Sequence, residues 1–188
     1  MEQTVRKFVD TGDAGAFRQI VDATQSRVYR MALRTAGSAQ DAEEIVQETY
    51  VRAWRDMKRF DFRSSIATWL CRIAYHVAID HVRREARNRK RIEPEREELA
   101  PLVERIESPN PGPEDELGDR RLQQAVQRLL DTLKPKYRAI LTLREIDGLS
   151  YDEIADELGI AKGTVESRLF RARAALMKKV KVYLGDLG

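Results

Sequence analysis

The residues best equipped for chemistry in this chain are cations, and they crowd one short stretch. Between Lys162 and Lys181 stand Lys162, Arg168, Arg171, Arg173, Lys178, Lys179 and Lys181, against the single acid Glu166. Just upstream, in LSYDEIADELGIAKGT, Ser150 and Glu153 are spaced as a capping box, and Gly159 suits a left-handed turn that ends a helix. The next helix should begin near Thr164, with Val165, Leu169, Ala172, Leu176 and Val180 as its apolar stripe. Its other side presents Thr164, Ser167, Arg168, Arg171 and Lys178. Two helices, a glycine turn and a basic second helix predict a helix-turn-helix that reads duplex DNA in the major groove. The candidate groove residues are Thr164, Glu166, Ser167, Arg168, Arg171 and Arg173. The plain alternative is a helical hairpin with a solvated face, and the charge imbalance weighs against it.

A second cationic stretch differs in kind. Over residues 65–90, SIATWLCRIAYHVAIDHVRREARNRK, the core stripe is Ile66, Leu70, Ile73 and Val77. Trp69, Arg72, Tyr75, His76, Ile79 and Arg83 take the remaining surface, and Arg83, Arg84, Arg87, Arg89, Lys90 and Arg91 crowd the end against Glu85. Rings interleaved with cations suit single-stranded nucleic acid, because unstacked bases offer π-faces and phosphates offer charge. The alternative is that Trp69 and Tyr75 pack on neighbouring helices, and for Trp69 that reading weighs at least as much.

The stretch SAQDAEEIVQETYVRAWRDMKRF opens on Ser38 and Asp41, again spaced as a capping box. Ile45, Val46, Tyr50, Trp54 and Met57 form its inner side, and Glu44, Gln47, Glu48 and Arg52 its outer side. Such a face is solvated by default, and it equally suits docking by a basic partner.

Other chemistry finds no support. His76, Asp80 and His81 have metal-like spacing, but His81 turns toward the core and His76 away, so no metal is expected. Cys71 is the only cysteine, which excludes an internal disulfide and a zinc knuckle, and no histidine stands ready as its base. A buried structural thiol is expected there. With no carboxylate cluster, catalytic cysteine pair or glycine-rich phosphate loop, the chain reads as a non-enzyme with no catalytic residue and no cofactor.

These residues need helices to position them, and the pattern predicts helices throughout. A short one covers the start, and a longer one carries Phe17, Ile20, Val21, Val28, Met31 and Ala32 to Gly37. The loop Arg59-Phe60-Asp61-Phe62-Arg63-Ser64-Ser65 then leads into the aromatic-basic helix. From Ile92 to Asp119 the composition changes: ten acids face only Arg96 and Arg105, and five of the six prolines fall there. Such a segment cannot bury a core and reads as a flexible acidic linker. Beyond it, Leu122, Val126, Leu129 and Leu133 form one amphipathic helix, and Pro135 opens the next. Tyr137, Ile140, Leu141 and Leu143 then face inward before the Asp147-Gly148 turn.

The expected fold is all-α: two small helical domains, residues 1–92 and 118–188, joined by a linker over 93–117, with the helix-turn-helix at the end. The net charge of +3 hides this segregation. No apolar run is long enough to span a bilayer and no signal peptide opens the sequence, so membrane insertion is not expected and a cytoplasmic location is.

Three pieces in order, DAEEIVQETYVRAW at 41–54, TWLCRIAYHVAIDHVRR at 68–84 and LREIDGLSYDEIADELGIAKGTVESRLFRARAAL at 143–176, resemble bacterial sigma factors of the extracytoplasmic-function (ECF) group. The resemblance covers nearly the whole chain and implies a promoter-specificity subunit of RNA polymerase. The segment with Asp41, Glu44, Gln47, Glu48 and Arg52 is similar to the part that docks on the β′ clamp helices of core polymerase. The loop residues Phe60, Asp61, Phe62, Arg63 and Ser64, with Arg72, His76, Arg83 and Arg84, resemble the part that opens the downstream (minus-ten) element. There a base leaves the stack for a pocket in the loop. The helix-turn-helix is similar to the reader of the upstream (minus-thirty-five) element. The implied partners are core polymerase, including its β flap, promoter DNA and an anti-sigma factor, with the linker in the RNA exit path.

Two positions depart from the family pattern. His76 stands where relatives often carry a short polar amide, and FDFRSS replaces an FRGDS-like loop. The competing function is a stand-alone helix-turn-helix regulator with an N-terminal dimerisation or sensing module. It leaves the helices at 41–54 and 68–84 without a role.

Overall fold

The computed structural model describes residues 1–92 and 125–185, with side chains over 1–88 and 125–182. The expected linker at 93–117, the expected domain start at 118, Leu122, and the side chains of Arg89, Lys90 and Arg91 lie outside the described residues. Among the described residues every regular element is helical, as expected. The helices are α1 (Glu2–Thr11), α2 (Ala14–Ala36), α3 (Ala39–Asp56) and α4 (Ile66–Ile92), then α5 (described over 125–131), α6 (Pro135–Leu141), α7 (Tyr151–Leu158) and α8 (Lys162–Gly185).

Local chemistry sets most boundaries. The Asp13 carboxylate accepts from the N–H groups of Gly15 and Ala16 at 2.7 and 3.2 Å and starts α2. The Ser38 hydroxyl accepts from Asp41 N–H at 3.3 Å to start α3, and Ser65 accepts from Thr68 N–H at 3.0 Å to start α4. At α7 the capping box closes both ways: Ser150 N–H donates to Glu153 Oε2 at 2.8 Å, and Glu153 N–H donates to Ser150 Oγ at 3.2 Å. Gly159 then ends α7 at φ 65°. One feature is absent from the sequence reading. The last turn of α6 widens into a π-helical turn over Thr142–Ile146, closed by Asp147 N–H donating to the Thr142 carbonyl.

Helices α2, α3 and α4 pack mutually, with α1 laid across α2. Their apolar centre includes Ile20, Met31, Met57 and Leu70, and a smaller cluster holds Ala32, Ile45 and Val77. In the second half Ile140, Leu143, Ile154, Leu158, Val165 and Leu169 are buried together. These two sets are continuous, because α2 packs on α6 and α4 packs on α7. Three placements are corrected, the first by the contact between halves. Tyr75, expected on the surface, is only 4% exposed, since α7 and α8 lie over its side of α4. Trp54, expected inside, is 44% exposed and leans edge-on against Phe8 and Phe17. Val126 is 42% exposed, and the buried stripe of α5 is instead Leu129 and Leu130, followed by Leu133.

Helix α8 starts at Lys162, two residues before the position read from the sequence. Val165, Leu169 and Ala172 are fully covered, whereas Leu176 and Val180 are half-buried because α8 outruns the helices beneath it.

Candidate functional site

Three candidate surfaces follow from this frame. The first is the outer side of α8, held at its N-terminal end by the buried Val165 and Leu169. Glu166 and Arg171 are exposed, while Thr164, Ser167 and Arg168 are half-buried. The Ser167 hydroxyl donates to the Thr164 carbonyl at 3.2 Å. Arg173 is drawn to Glu145 at 2.7 Å, and Lys162 to Asp152 at 2.9 Å. Arg168 donates from Nη1 to the Tyr75 hydroxyl at 2.7 Å. Arg171 has no ion-pair partner among the described residues, which leaves its guanidinium available to a base edge or a phosphate.

The second surface is the loop before α4. Phe60 is 6% exposed and lies against Phe62 and Trp69, with ring centroids 4.8 and 5.6 Å away. Its ring is thus part of the core edge rather than a free stacking platform. Phe62 stands at φ 59°, the left-handed region that favours glycine, and an FRGDS-like loop carries glycine at this third place. The Arg6 guanidinium covers the Phe62 ring at 4.4 Å from its centroid and helps hold that conformation. Asp61 accepts from Arg63 N–H at 3.2 Å and also pairs with the Arg63 guanidinium. A cavity of about 350 Å³ opens here, lined by Phe60, Phe62, Ser64, Val5 and Thr24 among others.

Along α4, His76 is exposed beside the Tyr75 ring, and Arg83 and Arg84 are exposed near Arg52 and Arg87, which with them line an open basic cleft. Arg72 is turned toward α7 and donates from Nε to the Asp156 carbonyl at 2.5 Å. Its positive charge is therefore directed at the other half of the chain. His81 is turned inward to Asp41, with Nε2 3.4 Å from Oδ1, so it does not converge with His76.

The third surface is the outer face of α3. Glu44 and Gln47 are exposed, Asp41 is half-buried, and Glu48 pairs with Arg52 at 2.7 Å. Two exposed apolar residues, Val51 and Trp54, accompany them. Val51 was missed in the sequence, although it sits four residues after Gln47 and seven after Glu44, on the same helical face. A polar face with an aromatic and an aliphatic residue fits a protein partner better than a purely solvated helix.

Also missed was the basic side of α2. Arg27 forks onto Glu157 of α7 with bonds of 2.5 and 3.3 Å, and Arg34 reaches Asp147 at 2.6 Å. No periodicity signals these pairs, since they join residues more than a hundred positions apart. Beneath the first lies Cys71, fully buried, as expected of a structural thiol. Desolvation, and then the charge of Glu157, push its thiol up to about 12.

Comparisons with known proteins place the chain as a whole. The family described as sigma-70 region 2 matches residues 20–88, and sigma-70 region 4 matches residues 123–176. An ECF RNA polymerase sigma factor, SigE of Mycolicibacterium smegmatis, is 38% identical over 90% of this chain, which spans 64% of that protein's length. The ECF RNA polymerase sigma factor SigW of Bacillus subtilis is 34% identical over 96% of this chain and 99% of its own. Among solved structures, the sigma factor RpoE of Bartonella quintana, crystallised with the anti-sigma factor NepR, superposes with a TM-score of 0.58 at 25% identity. That match covers 88% of this chain and 97% of RpoE.

Proposed function

The chain belongs to the ECF group of RNA polymerase sigma factors, and from that premise we propose how its two halves divide the work of promoter recognition. As a sigma factor it is a transcription-initiation factor that binds core RNA polymerase and directs it to promoters. Residues 1–92 dock on the polymerase and open the minus-ten element. Residues 93–117 connect the halves, and residues 118–188 read the minus-thirty-five element.

In this reading Glu44, Gln47, Glu48 and Arg52, with Asp41 at the start of the same helix, meet the β′ clamp helices. Val51 and Trp54 supply the apolar centre such a contact needs. The cavity beside Phe62 and Ser64 receives the base that leaves the stack, and His76, Arg83 and Arg84 follow the opened strand. Arg72 joins them once it leaves Asp156. Arg171, with Thr164, Glu166, Ser167, Arg168 and Arg173 around it, enters the upstream major groove. The helix-turn-helix half also meets the β flap. An anti-sigma factor is the proposed inhibitor, as NepR accompanies RpoE in the solved complex.

No catalysis by the chain itself is proposed, and it acts in the cytoplasm beside the polymerase. No helix among the described residues is long and apolar enough to cross a membrane. The observation that carries the function is the match of both halves to sigma-70 regions in the right order. A stand-alone regulator would need only the second. Run-off transcription with purified core polymerase over a genomic promoter library tests it. Promoter-specific transcripts that appear only when the protein is added are expected, and their absence from every promoter would refute the reading.

A further inference from the structure

The loop that meets the opened strand forms only part of the cavity beside it. Around that space of about 350 Å³, Met1, Glu2 and Val5 come from the start of the chain and α1. The match to sigma-70 region 2 begins at residue 20, so this wall lies outside it. Glu2 is also the one charged side chain among the described lining residues, whose other polar members are Thr24, Ser64 and Ser65. Two of those hydroxyls are engaged. Thr24 Oγ1 donates to the Ile20 carbonyl at 2.6 Å and meets the Tyr50 hydroxyl, and Ser65 Oγ accepts from Thr68 N–H at 3.0 Å.

A single cation ties Glu2 to the loop. Arg6 donates from Nε and Nη2 to Glu2 Oε1 at 3.2 and 2.7 Å, and its guanidinium lies 4.4 Å from the centre of the Phe62 ring. Both bonds fall on Oε1, which leaves Oε2 its lone pairs. Arg6 also offsets a carboxylate that would otherwise repel the phosphates of an approaching strand. Phe62 needs such support, because it holds φ 59° where an FRGDS-like loop has glycine. We propose that α1 sets which base the cavity takes: Glu2 accepts from the exocyclic amine of the flipped base, and Arg6 positions both Glu2 and the Phe62 ring. This rests on the promoter-recognition reading above, which brings a base to the cavity. A flipped base is read on its Watson–Crick edge. Adenine, cytosine and guanine each present an amine there, whereas thymine flanks its single N–H with two carbonyls that a carboxylate repels. The cavity therefore selects an amine-bearing base and rejects thymine.

The test uses the full chain assembled with core polymerase, and DNA randomised over the upstream element and over a pre-opened minus-ten segment. Bound DNA is recovered and sequenced, which gives the base preference at each opened position. Wild type should prefer amine-bearing bases over thymine by roughly tenfold at one position. Glu2→Gln presents an amide that can donate to a thymine carbonyl, so that preference should shrink to roughly twofold or less. Preferences at the neighbouring positions should stay as in wild type. Arg6→Ala should blur the same position, and Arg6→Lys, which keeps a cation for the ring, should restore much of it. Both side chains are more than half exposed, so none of these changes should unfold the helix.

A merely structural α1 would lower the recovery of all sequences alike without moving the preference at one position. Such an even loss in Glu2→Gln, or a profile identical to wild type, would overturn the role of Glu2. Thymine as the wild-type choice at the affected position would overturn it too. If Arg6→Lys selects no better than Arg6→Ala, Arg6 does not position the reader through its charge. A wild-type holoenzyme that enriches no sequence at all fails the promoter-recognition reading itself. An enriched wild-type profile that Glu2→Gln leaves unmoved fails the α1 assignment alone.

Discussion

The guanidinium of Arg168 and the phenolic oxygen of Tyr75 meet at 2.7 Å across the seam between the two halves, 93 residues apart in sequence. Tyr75 is buried on α4, and desolvation raises its pKa while the neighbouring Arg168 charge pulls it back. Replacing Tyr75 by Phe keeps the ring and removes the acceptor. A hydrogen bond to a charged donor contributes about 1.5–3 kcal/mol, part of which Arg168 recovers by turning to water from its half-buried position. Tyr75→Phe should therefore cost about 1–2 kcal/mol, or roughly 2–8 °C in Tm, read by thermal unfolding with circular dichroism.

The seam is also tight at Gly37, the residue that ends α2 at φ 79°. A Cβ there would run into the Arg138 guanidinium, which is buried and donates to the Thr35 carbonyl at 2.7 Å. Gly37→Ala thus combines a left-handed alanine, at about 1–2 kcal/mol, with displacement of a buried bonded cation. A loss of roughly 3–4 kcal/mol is expected from denaturant midpoints. Gly12 stands at φ 69° with nothing near its missing Cβ, so Gly12→Ala should cost only the backbone part, about 1–2 kcal/mol.

The contrast between these positions shows what the sequence could tell. Ser150 with Glu153, Gly159 and the stripe Val165–Leu169–Ala172 are local signals, and the helix-turn-helix forms where they place it. Pro135 opens α6 for the same reason. Tyr75 and Trp54 were misplaced because a ring at helical spacing reads alike whether the next helix covers it or passes beside it. Arg27, Arg34 and Arg138 carried no signal in the sequence, since the partners that bury or bind them lie in another part of the chain. The left-handed Phe62 was equally hidden, because propensity alone argues for glycine at such a φ.

Cys71 gives stability a defined dependence on alkaline pH. Its thiol is held near 12, above the ordinary value of 9.0, so it stays protonated in the folded chain while the unfolded chain ionises. The contribution is fully present below about pH 9 and is lost as pH rises toward about 12, with a limiting slope of about 1.4 kcal/mol per unit. Cys71→Ala lacks this dependence. The stability gap between wild type and Cys71→Ala, measured by urea unfolding at several alkaline pH values, should shrink as pH increases. A gap independent of pH would mean that the thiol titrates equally in both states.

On the outer face of α3, Glu48 pairs with Arg52 one turn later, and both side chains are half-exposed. An exposed pair of this spacing contributes only about 0.3–0.5 kcal/mol, so Glu48→Lys should shift Tm by no more than about 2 °C. Its effect on docking should be much larger, since it reverses charge in the centre of the proposed contact. Affinity for core polymerase is expected to fall by about tenfold or more, measured by competition for labelled core enzyme. Normal binding would move the contact away from this face.

Arg171 offers the sharpest separation between the two halves. It lies on the exposed side of α8, one turn after Ser167, and has no ion-pair partner among the described residues, whereas Arg168 is held by Tyr75 and Arg173 by Glu145. Its removal therefore costs little fold stability, and Arg171→Ala should melt like wild type. It should also bind core polymerase normally, because the proposed docking face is on α3. Recognition should suffer. A bidentate contact to a guanine would cost about 1–3 kcal/mol and relax preference at one upstream base pair. A phosphate contact would weaken all promoters alike and lower the slope of affinity against salt by about one ion. Transcription from promoters carrying single upstream substitutions, repeated at several salt concentrations, distinguishes these outcomes. If Arg171→Ala initiates as well as wild type at every such promoter, this side of α8 does not face the groove.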